Sequence, residues 1–144
     1  MSILGLDYGQ KRVGVAKSDE LYFMAHPVGF ILFTSDEQLM SAIEELVGEH
    51  KVEKIVVGLP ITLKGETGPQ AKKVMMFAEQ LRGKFECPVV TWDERLTTAQ
   101  AERAMLHQDM SRAKRKVKRD AIAAEIMLQS YLDFLKQKGP DTYV

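Results

Sequence analysis

The sequence predicts an α/β domain on a mixed five-stranded sheet: three antiparallel strands, then α-β crossovers, with helices on both faces. Three observations carry this. The aliphatic run Ile3-Leu4-Gly5-Leu6 is followed, after a polar turn, by a second run, Val13-Gly14-Val15-Ala16. Two later runs, Ile55-Val56-Val57 and Val89-Val90, each come after a stretch with apolar residues at helical spacing. Strands that begin as a meander and continue through helical crossovers give a sheet covered on both sides.

Each element follows from local chemistry. The first run suits a strand buried on both faces, and it ends at Asp7-Tyr8-Gly9, where glycine permits close approach. Lys11 and Arg12 fall at the hairpin tip. A third strand spans Ala25 to Phe33, and Pro27 argues for an edge position. Thr34 or Ser35, three residues before Glu37 or Gln38, opens a capping box. Leu39, Ile43, Leu46, Val47 and His50 then form one helical stripe, with His50 as its partly buried end rather than a ligand. Lys54 to Leu59 is the fourth strand, stopped by Pro60. A loop with Gly65 and Gly68 leads to Pro69, which suits a first helical turn. Ala71, Val74, Met75, Ala78, Leu81 and Phe85 make the second stripe, with Met75 and Met76 as core filler. Pro88 to Trp92 is the fifth strand. Thr97 with Gln100 opens a helix to about Leu106, and Asp120 starts a last helix whose Ala124, Met127, Tyr131 and Leu135 share a face. Residues 136–144, with Gly139-Pro140, read as a loose tail.

The 144 residues, 45% hydrophobic and 28% charged, describe a single domain over 1–144. One cysteine, Cys87, excludes an internal disulfide and fits a reducing cytoplasm. Asp7, Lys11 and Arg12 interrupt any signal peptide, and no apolar run reaches the ~20 residues of a membrane helix. Basic and acidic residues number 20 each, so net charge is silent about partners, but its distribution is not.

Three carboxylates stand out. Along the fifth strand Val90, Trp92 and Glu94 point to one face, and Thr91, Asp93 and Arg95 to the other. The face of Glu94 is the packed one, so Glu94, not Asp93, is placed to meet Asp7; Asp93 and Arg95 steady each other or the loop. Asp120 lies on the packing face of the last helix. Taken singly, Asp7 reads as a turn acid, Asp120 as an N-cap and Glu94 as half of a surface ion pair. Together they form a candidate site for one or two hard divalent cations, Mg²⁺ or Mn²⁺, able to activate water against a phosphodiester. No zinc-type histidine spacing and no Gly-rich phosphate loop competes with this.

The second signal is basic. Arg112, Lys114, Arg115, Lys116, Lys118 and Arg119 occupy six of eight consecutive positions. Such a run is often a solvated face. Beside Asp120, with almost no apolar anchors, it reads instead as a strap for a polyanionic backbone, to which Lys11, Arg12 and Arg95 add.

These motifs resemble the YqgF/RuvX family of the ribonuclease H-like superfamily, almost end to end. The residues carrying the likeness are Asp7-Tyr8-Gly9 with Lys11 to Ala16, Gly58-Leu59-Pro60 with Gly65, Asp93-Glu94-Arg95-Leu96-Thr97-Thr98, and Asp120 to Ala124 continuing to Leu132. The resemblance implies a ribonuclease H-like sheet with Asp7, Glu94 and Asp120 as catalytic and metal-binding acids. It also implies a nuclease that trims the 5′ end of precursor 16S ribosomal RNA, with Holliday junction resolution or non-catalytic RNA binding as alternatives. Structured RNA is the favoured partner and branched DNA the alternative, for a cytoplasmic monomer or weak homodimer. Thr62 and Lys118-Arg119 depart from the family pattern, and Glu66 is a reserve second acid. An actin-like or sugar-kinase ATPase shares the Asp-x-Gly hairpin but encloses its nucleotide between two such domains.

Overall fold

The computed structural model describes residues 1–61, 65, 68–96 and 119–138. The strands are β1 (Ser2–Tyr8), β2 (Arg12–Ser18), β3 (Ala25–Leu32), β4 (Val52–Leu59) and β5 (Val89–Asp93). The helices are α1 (Asp36–Glu49), α2 (Pro69–Lys84) and α3 (Arg119–Lys138), and a 3-10 turn, Glu94–Leu96, follows β5 directly. The sheet runs in the order β3-β2-β1-β4-β5. β1 pairs antiparallel with β2 and parallel with β4, β2 antiparallel with β3, and β4 parallel with β5. This is the mixed sheet the sequence predicts, with Pro27 on the edge strand, where a missing N–H is tolerated. The helix expected over 97–106, Glu66 and the tail from 139 lie outside the described residues.

Strand parity sorts the core into two layers. On one face Leu4, Leu6, Val13, Val15, Ile55 and Val57 pack against Leu39 and Ile43 of α1 and Val74, Phe77, Ala78 and Leu81 of α2. On the other, Ile3, Ala16, Ala25 and Val56 pack against Ala124, Met127, Leu128, Tyr131, Leu132 and Leu135 of α3. Asp7 shares parity with Ile3 and so belongs to the α3 face. Tyr8 takes the opposite face, where its ring stacks on Phe77 at 4.5 Å between centroids.

Local signals behave largely as their chemistry requires. The Ser35 side chain accepts from the Gln38 N–H at 3.2 Å. The Gln38 side chain returns to the N–H of Thr34 rather than of Ser35, a capping box shifted by one residue. Pro69 opens α2, and Arg82 and Lys84 close it at the negative end of its dipole. His50 is the half-buried C-cap of α1.

Two expectations change. Met75 and Met76 are not core filler: they are exposed, because Phe77, one position on, is the residue that turns inward with Val74, Ala78 and Leu81. The last helix also does not loosen at Lys136. It runs to Lys138, and the Lys136 ammonium donates to the Phe23 carbonyl at 2.8 Å.

Candidate active site

The site forms on the α3 face, where the chain leaves β1 and β5 and enters α3. Asp7 is the second-last residue of β1, and its cross-strand partner in β2 is Gly14. Next to Gly5 and Leu6 of β1 run Val56 and Val57 of β4, and Gly58 of β4 pairs in turn with Trp92. Two glycines thus flank Asp7, and each vacates space for another acid. A Cβ on Gly14 would lie 2.0 Å from the backbone oxygen of Asp120, so the start of α3 rests on bare β2 backbone. A Cβ on Gly58 would lie 2.6 Å from Oε1 of Glu94, so the Glu94 carboxyl rests over β4. Glu94 therefore falls on the Trp92 side, as parity requires. Asp93 goes to the other side, where it accepts from the Arg95 N–H at 2.9 Å and from its guanidinium at 2.7 Å.

Glu94 and Asp7 share a hydrogen bond. Burial, the negative charge of Asp7 and the bond itself, in which Glu94 keeps the proton, raise the Glu94 pKa to about 7. Asp7 is also raised, first by burial and then by the charge of Asp120, although the Glu94 hydrogen bond opposes the shift. The Glu94 carboxyl therefore gains and loses its proton around neutrality. Asp120 completes the group at longer range: its Oδ2 lies 3.4 Å from Nε of Arg12. In this arrangement no three His, Cys, Asp or Glu side chains among the described residues stand close enough to grip an ion. Asp7 and Glu94 are in contact, and Asp120 is turned toward Arg12.

The donor set fits a hard cation. It consists of carboxylate oxygens, and the shared proton marks the point where positive charge lowers the energy most. Asp7 and Glu94 would hold the ion, with Asp120 joining them on leaving Arg12.

A clamp absent from the sequence-level site holds the acids in register. Ser130 of α3, itself buried, accepts from the Trp92 indole N–H at 3.1 Å and donates to the Leu96 carbonyl at 2.7 Å. The turn that carries Glu94 is thereby bolted to the helix that carries Asp120. Gln129 does the same for β3, accepting from the Ala25 N–H at 2.8 Å and donating to the Phe23 carbonyl at 3.0 Å. The sequence signal for this was the polar pair Gln129-Ser130 within the otherwise apolar run from Ile126 to Leu132.

The basic residues separate. Lys11 is exposed at the hairpin tip, and Arg12 reaches Asp120. Arg95 is not a free cation, since Asp93 holds its guanidinium through Nε and Nη2. Arg112, Lys114, Arg115, Lys116, Lys118 and the side chain of Arg119 lie outside the described residues.

In fold the chain is similar to T. thermophilus RuvC, solved in complex with a Holliday junction substrate. The TM-score is 0.61 at 14% identity, over 93% of this chain and 96% of that one. The sheet and the kinship together define a ribonuclease H-like nuclease, a hydrolase acting on ester bonds. Within that class the chain belongs to the RuvX family, whose model, described as Holliday junction resolvase, matches residues 1–134. A relative from Caldanaerobacter subterraneus subsp. tengcongensis, named "Putative pre-16S rRNA nuclease", is 51% identical over 94% of this chain and 99% of that protein. One of the same name from Desulforudis audaxviator is 43% identical over 94% and 96%.

Proposed function

We propose that the protein is a Mg²⁺- or Mn²⁺-dependent nuclease that trims the 5′ end of precursor 16S rRNA, using Asp7, Glu94 and Asp120. The observation that carries the reading is the convergence of three acids on one face of the sheet: Glu94 over Gly58 and against Asp7, and Asp120 over Gly14. Two carboxyls in contact, both raised by burial, cost stability, and a structural role does not require them. The curated relatives supply the RNA. A bound divalent ion would activate a water and offset charge on the phosphate. The chain's own part is to bury Asp7 and Glu94, to hold Glu94 and Asp120 in register through Ser130, and to give up the shared proton as the cation enters.

Junction DNA is the second reading, favoured by the description of the family model. Symmetrical cutting of two strands is most simply done by a two-fold dimer. The helix stripes do not argue against one, because Met75 and Met76 leave an apolar patch on α2. RNA trimming needs one site and a single-strand groove, and the reading is of a monomer or weak homodimer. None of the described helices is long and apolar enough to cross a membrane. The proposed role on ribosomal precursors supports a cytoplasmic location.

The test is turnover on precursor 16S rRNA and on four-way DNA at equal salt, in Mg²⁺ and in Mn²⁺, with the mass of the active species determined. Asp7→Asn, Glu94→Gln and Asp120→Asn should each lower cleavage roughly 10²- to 10³-fold. This corresponds to several kcal/mol of transition-state stabilisation at 1.36 kcal/mol per tenfold. Full activity in one variant would remove that residue from the site. Paired junction cuts by a stable dimer, with the RNA intact, would reverse the order of substrates.

A further inference from the structure

β3 does not keep strict alternation. Val15 pairs with Gly29 but Ala16 with Pro27, so Val28 is an extra residue, and Gly29 beside it takes φ +153°. The bulge reverses the parity of everything after it. Ala25 packs in the α3 layer, and unbroken alternation from there would turn Phe30 toward α1 and α2. Instead Ile31 packs on that side, and Phe30 faces the acids, opposite Gly14. Asp7, Gly14 and Phe30 thus form one row across three strands. Two strand spacings of ~4.8 Å place Phe30 about 10 Å from Asp7.

Phe30 remains 37% exposed there, and Leu32 beyond it 63%. An aromatic ring that a bulge directs to an acid site, and that stays partly exposed among the described residues, is poorly explained by packing. Arg12 stands between ring and acid. Its guanidinium lies 5.9 Å from the Phe30 centroid and 3.4 Å from Asp120, with its side chain 57% exposed. Both contacts are weak: the first is at the ~6 Å limit for a cation–π interaction, and the second is a solvated ion pair. A phosphate, which can take two charge-assisted hydrogen bonds from the fork, outcompetes them.

We propose that Phe30 and Arg12 form a nucleotide subsite for a single strand running across the sheet edge into the acid site. One base stacks on Phe30, and the neighbouring phosphate draws Arg12 from Asp120, freeing that carboxylate for the cation. The ~10 Å offset corresponds to about three stacked nucleotides at ~3.4 Å each. This rests on the reading of Asp7, Glu94 and Asp120 as the cleavage site, and it adds the register of the strand and the release of Asp120.

Binding without metal tests it. Single-stranded RNA oligonucleotides with 2-aminopurine at successive positions are titrated with the protein in EDTA, and emission reports stacking. Wild type should quench the probe at one position more than at its neighbours. Phe30→Leu, which keeps apolar bulk on an edge strand, should abolish that quench and weaken binding roughly 5- to 150-fold, the range of one base–aromatic stack. Phe30→Trp should restore both. Arg12→Gln should make the slope of log K against log salt shallower by ~0.7, one phosphate contact on a single strand. Melting curves confirm that each variant is folded. Equal binding and an equal quench by Phe30→Leu would overturn the subsite. Absence of binding by wild type would overturn it too, and cleavage of precursor RNA by the same preparation in Mn²⁺ would then show that the nuclease reading stands without it.

Discussion

Glu94 concentrates the chemistry of the site in one titration. Unfolded, it ionises near 4.5; folded, near 7. Between those values the folded chain holds a proton the unfolded chain has lost, so stability falls as pH rises. The contribution is complete below about 4.5 and is lost as pH passes through about 7. Asp7, also raised, acts in the same direction. Metal-free Glu94→Gln should therefore melt higher than wild type at pH 8 and close to it at pH 5, in scans with EDTA. An equal gap at both values would mean that the pair is not coupled as described. Gly58→Ala gives a complementary result. The new methyl meets Glu94 Oε1 at 2.6 Å and Met127 Cγ at 3.2 Å, both on side chains that can shift. The fold should survive at a cost of about 1–3 kcal/mol, as for a modest overpacking. Cleavage should fall at least tenfold because Glu94 has moved, and parallel measurements of melting and turnover separate the two effects.

At the level of elements, the junction between the Glu94 turn and α3 depends on one hydroxyl. Ser130→Ala removes two part-buried hydrogen bonds, from the Trp92 N–H and to the Leu96 carbonyl, and each is worth about 0.5–1.5 kcal/mol, together about 1–3 kcal/mol. The variant should lose stability by that amount and turnover more steeply than substrate affinity, since the acids lose register while the nucleic-acid surface remains. A rise in KM with kcat unchanged would contradict this role. The same junction shows what the sequence could disclose. Strand parity alone separated Glu94 from Asp93, because Val90-Thr91-Trp92 alternates cleanly up to the turn. Helical spacing put Asp120 with Ala124, Met127 and Tyr131, and all three are buried on the sheet. Parity failed in β3, where a single extra residue, Val28, inverts the faces without any change in composition. Parity held at Tyr8, which is adjacent to Asp7 and so points away from it, onto Phe77. The glycines at 14 and 58 were visible, but the long-range contacts that require them were not. Each gap faces an element more than thirty residues away, and spacing carries no such information.

For the whole molecule, charge placement governs how a polyanion is drawn to the acids. Twenty basic and twenty acidic residues cancel in sum, yet six of the basic ones fall within 112–119, immediately before Asp120. The acid site itself repels phosphate: Asp7, Glu94 and Asp120 carry up to three negative charges, and Arg12 offsets one at most. Attraction must come from outside the acid cluster, and the run at 112–119 is the densest source in the chain. If Lys114, Arg115 and Lys116 each meet a phosphate, their joint replacement by alanine removes three contacts. The slope of log K against log salt on a single strand should then become shallower by up to about 2, at ~0.7 per contact. Binding should weaken by a similar factor on unrelated sequences, because backbone contacts carry no sequence information. Titrations between 50 and 200 mM salt, a range chosen because such slopes are well resolved there, measure both quantities. The triple variant should keep the wild-type response of melting temperature to Mn²⁺, since the acids are untouched. An unchanged salt slope would show that the run is only a solvated face, and the approach of the substrate would then fall to Lys11 and Arg12 at the hairpin.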